Sequence, residues 1–201
     1  MKRTTLFFSF QKSNILFLIF FLFSISLFSQ EFPLRSKYPT VKTISTKDLA
    51  DGLGKSLLVV DARNKVEYDA IHIDGAFNDK VGNMNFAKNL EKLTKGNKSE
   101  KIVFYCNGGK CKKSFTANLE AAKLGYTNTF SYDAGIFEWA KTYPQKTLLM
   151  GKVLNDKSKL ISNSEFKAKL LDKEEFEKQS SGENAMLIDV RDPSQREKTP
   201  A

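Results

Sequence analysis

Ile102-Val103-Phe104-Tyr105-Cys106-Asn107-Gly108-Gly109-Lys110-Cys111-Lys112-Lys113-Ser114 is an apolar run that stops at a cysteine and then passes through paired glycines and lysines. It reads as a buried strand that delivers a thiol to the floor of a cationic loop. The residues that follow, Phe115 to Leu124, carry apolar groups at helical spacing and end at Gly125, a glycine suited to a C-terminal cap. The loop therefore sits on a helix N-terminus. Unpaired backbone N–H groups and the helix dipole favour an anion there, whether a thiolate, a persulfide or a bound oxyanion. Cys106 is the candidate nucleophile.

Working outward, Val41 to Ile44 reads as a short strand, with Ser45 or Thr46 capping a helix through Leu49 to Leu53. Ser56 to Asp61 is a continuous apolar run of strand length, the pattern of a parallel strand buried on both faces. Lys65 to Ala70 reads as a short helix, Ile71 to Ala76 as a strand and turn, and Asn83 to Leu93 as a helix turning Met84, Phe86, Ala87, Leu90 and Leu93 inward. A strand over Thr129 to Tyr132 and a helical turn from Gly135 to Lys141 complete the pattern. Strands alternating with helices predict an α/β domain with a mainly parallel sheet. Such sheets hold ligands at the carboxyl ends of their strands, and Asp61-Ala62-Arg63, Cys106 and Asp133 fall at those ends.

The 201 residues exceed one such domain, and the surplus lies at both ends. Lys2, Arg3 and Lys12 precede an unbroken apolar stretch from Ile15 to Phe28, with polar Gln30 and Glu31 after it. Residues 1–29 read as a secretory signal peptide, or as an uncleaved anchor because Leu27 stands where a small residue is expected. An exported location follows, periplasmic or secreted, with membrane attachment only if the leader stays. These residues hold three basic and no acidic groups, so their removal lowers the formal charge of +9 by three. The remaining lysines are scattered among acids, which argues against a nucleic-acid face. Lys110, Lys112 and Lys113 are the exception. A Cys106 to Cys111 disulfide would close too small a loop to staple much, so the two cysteines read better as a redox or resolving pair. At the other end, residues 151–201 repeat the opening of the first unit: Ile161-Ser162-Asn163-Ser164-Glu165-Phe166 parallels Ile44 to Leu49, and Leu187-Ile188-Asp189-Val190-Arg191 parallels Val59 to Arg63. An incomplete second copy is expected, with a Met186 to Val190 strand that has no sheet of its own.

From about Thr43 to Tyr143 the chain resembles the rhodanese family of sulfurtransferases. The resemblance rests on Asp61-Ala62-Arg63, on Glu67-Tyr68-Asp69-Ala70-Ile71-His72-Ile73-Asp74-Gly75-Ala76-Phe77-Asn78, on the Cys106 loop, and on Asp133-Ala134-Gly135-Ile136-Phe137-Glu138-Trp139. It implies a three-layer domain over residues 43–150, after a linker at 30–42, with no cofactor. It also implies that Cys106 takes sulfur from a small anionic donor such as thiosulfate, holds it as a persulfide and passes it to a thiol or cyanide. Asn107, Gly108, Gly109, Lys110, Cys111, Lys112 and Lys113 would form the substrate loop, with the glycines curling its backbone and the lysines attracting the donor. Many members close this loop with an arginine followed by serine; here Ser114 lies two residues further on and no arginine is present. A wider loop also resembles the related phosphatases, but their arginine position holds Lys112, which lacks a two-pronged grip on phosphate or arsenate.

Supporting roles are more open. His72 is the only histidine, so a metal cluster or Cys-His pair gains little support, and a turn-organising role is expected. Asp61 and Arg63 read as a buried pair or turn-organising groups. Asp133 reads as a pocket border or a turn cap, Phe137 and Trp139 as core or pocket wall, and Cys111 as a resolving thiol or a wall residue.

Overall fold

The computed structural model describes residues 32–189, so the leader read over 1–29 and the parallel at Val190-Arg191 lie outside the described residues. The continuous apolar runs form the strands β1 (Leu58–Asp61) and β4 (Ile102–Tyr105), which pair in parallel with Val60 opposite Phe104. Helix α1 (Thr46–Gly52) precedes β1, and α2 (Lys65–Ala70), β2 (Ile71–Ile73), β3 (Phe77–Asn78) and α3 (Phe86–Thr94) lie between β1 and β4. After β4 follow α4 (Lys113–Lys123), β5 (Thr129–Tyr132) and α5 (Gly135–Thr142). The central sheet runs β3-β1-β4-β5, parallel throughout, and Thr43 adds a single parallel bridge to Ser131 at its edge.

Because side chains alternate along a strand, β1 and β4 feed two cores. Val59, Val103 and Tyr105 meet Ile44, Leu49, Ile73, Ile136 and Trp139 on the face covered by α1 and α5. Val60, Ile102 and Phe104 meet Phe86, Leu90, Ala117, Ala121 and Tyr126 on the face covered by α3 and α4. This is the three-layer α/β arrangement expected. Each fully buried aliphatic residue in these layers contributes about 1.5–3 kcal/mol, and none of β4 is exposed.

Several expectations shift in detail. Helix α3 starts at Phe86, so Met84 is fully exposed and Ala87 faces solvent, while Phe86, Leu90 and Thr94 turn inward. The segment read as a linker is docked on the domain: Tyr38 stacks on Phe115 with ring centroids 5.0 Å apart, and Val41 is buried. A second, antiparallel sheet joins β2 to a hairpin of β6 (Thr147–Leu149) and β7 (Lys152–Val153). Met150 and Gly151 both adopt positive φ in its turn, as a two-residue hairpin of this hand requires. The expected boundary at 150 thus falls inside a hairpin, and Leu154 beyond it is buried.

Beyond Leu154 a second copy is not seen among the described residues. Ser162 and Glu165 form a capping box that starts α6 (Asn163–Ala168), and α7 (Lys173–Ser180) follows. Met186 to Asp189 make no strand, and Met186, Leu187 and Ile188 are exposed. The capping box forms because it is satisfied locally; a strand needs a paired neighbour, and among the described residues none pairs with 186–189 as a strand.

Candidate active site

β4 ends at Tyr105, and Cys106, wholly buried, is the first residue past the central strand. Its carbonyl accepts the Ile136 N–H at 2.9 Å, which ties it to the start of α5. Gly135 has φ +71°, and a Cβ there would meet the Asn107 carbonyl carbon and the Gly108 nitrogen at 2.5 Å. Only glycine permits that approach. The Asp133-Ala134-Gly135 motif therefore serves as the wall against which the cysteine loop is laid.

Asn107 is gripped at both ends of its amide. Its Oδ1 accepts from Arg63 Nη1 at 3.2 Å, and its Nδ2 donates to Glu67 Oε1 at 2.8 Å. Arg63 and Asp61, both essentially unexposed, form a forked ion pair with Nη2 to Oδ2 at 2.6 Å, and Nη2 also donates to the Ile71 carbonyl. Burial opposes the Arg63 charge, but the Asp61 hydrogen bond and charge outweigh it and hold the guanidinium more firmly protonated than usual. Glu67 closes the α2 capping box with Asn64 and also accepts from Lys113 Nζ at 2.9 Å. Burial alone would raise its pKa; the hydrogen bonds from Asn107 and Lys113 win and hold it below the ordinary value.

Lys113, expected to attract a donor, is thus committed to Glu67, whereas Lys110 and Lys112 are exposed. Nor do the two loop glycines curl the chain through left-handed backbone: neither Gly108 nor Gly109 has positive φ. Gly108 instead sits where a Cβ would press on the Ala134 carbonyl at 3.3 Å. The Cys111 N–H donates to the Gly108 carbonyl at 2.8 Å, folding the loop back over its own start. Cys106 and Cys111 are joined as a disulfide, with Cα atoms 6.3 Å apart. Asn107, Gly108, Gly109, Lys110, Cys111 and Phe137 line a shallow cleft of about 450 Å³. Phe137 is 58% exposed, so it is cleft wall, whereas Trp139 is core.

Beneath the cleft, Cys106 Sγ lies 3.1 Å from the Cys111 carbonyl oxygen and 3.6 Å from Ser114 Oγ in the first turn of α4. Ser131 donates to Ser114 Oγ at 2.8 Å, which leaves the Ser114 proton free to face the sulfur. Lys112 at the helix N-cap makes no side-chain cap, so the first N–H groups of α4 are available near the loop.

The remaining supporting residues, His72 and Asp133, do not line the cleft. His72 Nδ1 sits 2.7 Å from the Tyr68 carbonyl and its ring stacks on Tyr68, inside β2. Asp133, 2% exposed, takes a two-pronged contact from Arg35, at 2.7 and 3.0 Å. Arg35 and Glu67 were not singled out as site residues in the sequence. The Asn64-x-x-Glu67 capping spacing was a readable signal for Glu67, and none marked Arg35.

The model of the rhodanese-like domain family matches residues 45–142. That span carries a rhodanese-like domain. The domain is 34% identical over 101 residues to a Mycobacterium tuberculosis protein named "Probable adenylyltransferase/sulfurtransferase MoeZ", covering 49% of this chain and 24% of the relative. It is 36% identical over 92 residues to the tRNA uridine(34) hydroxylase of Aster yellows witches'-broom phytoplasma, covering 43% and 28%. The rhodanese-like segment thus spans about a quarter of the length of these relatives. Among solved structures, a Bacillus halodurans protein aligns with TM-score 0.48 and 22% identity, over 67% of this chain and 95% of that one.

Proposed function

We propose that the rhodanese-like domain moves a sulfane sulfur from a small anionic donor such as thiosulfate to a thiol or cyanide, through a persulfide on Cys106. The observation that carries this reading is the setting of the Cys106 sulfur. It is buried at the end of the central strand, 3.6 Å from the Ser114 hydroxyl and beside the uncapped start of α4. The sulfurtransferase name of the Mycobacterium tuberculosis relative supports the same class of reaction.

With the disulfide first reduced, the Cys106 thiolate would attack the outer sulfur of the donor. The donor S–S bond breaks, and sulfite leaves with the electron pair. The Ser114 hydroxyl and the loop N–H groups would then stabilise the anionic persulfide. An acceptor thiol or cyanide attacks the outer sulfur, and Cys106 returns as thiolate. Exposed Lys110 and Lys112 draw in the anion without gripping it, which ranks phosphate or arsenate chemistry below sulfur transfer.

The test is sulfite release. Reduced wild-type protein given thiosulfate should release sulfite and Cys106→Ser should not; a wild type that releases none ends the proposal. The Cys106–Cys111 bond favours one second reading, a redox-sensing module that cycles between dithiol and disulfide. That reading predicts reversible oxidation with no turnover of thiosulfate, so sulfite release would remove it.

A further inference from the structure

We infer that Cys111 discharges the Cys106 persulfide from within the same loop, so that the sulfur leaves as sulfide and the domain draws its electrons from an external thiol or dithiol. The inference rests on the persulfide reading above and names the acceptor for it. The two Cα atoms lie 6.3 Å apart, inside the span a disulfide needs, and the Cys111 sulfur is bonded to Cys106 Sγ itself. Cys111 therefore reaches the inner sulfur of a persulfide, the atom that any resolving thiol must attack. The turn from Gly108 to Cys111 holds it there, with the Cys111 carbonyl 3.1 Å from Cys106 Sγ.

Stability does not account for this pair. A bond between residues only five apart removes little entropy from the unfolded chain. Nor does Cys111 serve the loop's anchors, which act on Asn107 and Lys113. Cys111 lines the cleft and is partly exposed, whereas Cys106 lies buried beneath it. An external thiol thus meets Cys111 first.

The step balances. The Cys111 thiolate attacks Cys106 Sγ, the bond from Sγ to the outer sulfur breaks, and that sulfur departs as hydrosulfide with the bonding pair. The two cysteines are oxidised by two electrons and the sulfane sulfur is reduced to sulfide. A thiol or dithiol from solution then attacks the more accessible Cys111 sulfur, and a second thiol completes the return to two free cysteines. The sum is thiosulfate plus two thiols giving sulfite, sulfide and a disulfide. Held in one loop, Cys111 acts at an effective concentration on the order of millimolar or above, which outcompetes dilute external thiols for the persulfide.

The experiment uses reduced wild-type protein and Cys111→Ser, each freed of reductant and given thiosulfate without other thiols. Wild type should release sulfide and finish two hydrogens lighter, with the Cys106 and Cys111 peptides cross-linked. Cys111→Ser should gain one sulfur atom, keep it, and release sulfide only when dithiol is added. A wild type that keeps the extra sulfur and frees no sulfide overturns the inference while leaving the persulfide reading intact. If neither protein gains sulfur nor frees sulfite, the persulfide reading fails and takes the inference with it. Should Cys111→Ser misfold, the mass and sulfide yield of the wild type decide alone.

Discussion

At its start the cysteine loop is tied to three separate elements: Asn107 to Arg63 and Glu67, and Cys106 to the first turn of α5. Between Gly109 and Lys112 the same loop presents exposed Lys110 and half-buried Cys111 to the cleft, with exposed Lys112 just beyond it. One half is a fixture and the other is a working surface. The contrast teaches where rigidity is invested: around the sulfur that must stay oriented, and not around the groups that meet small molecules from solution. Substitutions in the two halves should therefore fail in different ways, and the largest effects belong to the fixture.

Removing one partner of the Asp61–Arg63 pair leaves a buried charge uncompensated, which costs about 3–5 kcal/mol. Asp61→Ala should lower unfolding stability by that amount in denaturant titration, and Arg63→Ala should also free Asn107. A loss below about 1 kcal/mol would show that the pair is dispensable and that the anchored half is held by something else.

Gly135 comes next. An alanine there must carry positive φ, at a cost of about 1–3 kcal/mol, and must push the Asn107–Gly108 peptide away from a 2.5 Å clash. Displacing the loop by about 1 Å is enough to cost about 10²-fold in rate. Gly135→Ala should thus lose sulfite release far beyond its modest loss of stability. Unchanged turnover would mean that the loop position does not set the reactivity of Cys106.

Glu67 offers a gentler probe with a pH signature. Its pKa lies below the ordinary 4.5 in the folded protein, so its contribution is present above that value and is lost as pH falls through the folded one. The partly exposed Lys113 contact keeps the contribution under about 1 kcal/mol. The stability gap between wild type and Glu67→Gln should be constant at neutral pH and shrink below pH 4.5. A gap that widens on acidification would reverse the assignment.

The anchored half was only partly legible in the sequence, for a physical reason. Continuous apolar runs such as Ile102 to Tyr105 announce buried parallel strands, and a cysteine at the end of one is visible at once. Local caps are equally plain: of the two candidates Ser45 and Thr46, Ser45 caps the first helix, and Ser162 in the parallel stretch caps another. Contacts between distant side chains leave no periodic trace. Asn107 and Glu67 are 40 residues apart, and Arg35 and Asp133 are 98 apart. So Glu67 reads as an ordinary helix residue and Arg35 as part of a linker, while Lys113 reads as a free cation although it is paired. The Met186 to Val190 pattern errs in the opposite direction. Its residues suit a strand, but a strand is a relation between neighbours, and residues 186–189 make no strand pairing among the described residues.

The smallest effects belong to the open half, and they test it most directly. Lys110 and Lys112 are exposed, so replacing either with alanine should leave stability within about 0.5 kcal/mol. Their charge acts on the approaching anion rather than on the fold. Each should therefore slow the reaction with thiosulfate a few-fold at low ionic strength, and the deficit should fade toward 1 M salt, where the screening length falls to about 3 Å. Lys113→Ala makes the internal contrast, because its charge is already spent on Glu67: it should disturb the anchor and show little salt-dependent loss. If Lys113→Ala instead gives the larger salt-dependent deficit, the division into a fixed half and an open half is drawn at the wrong residue.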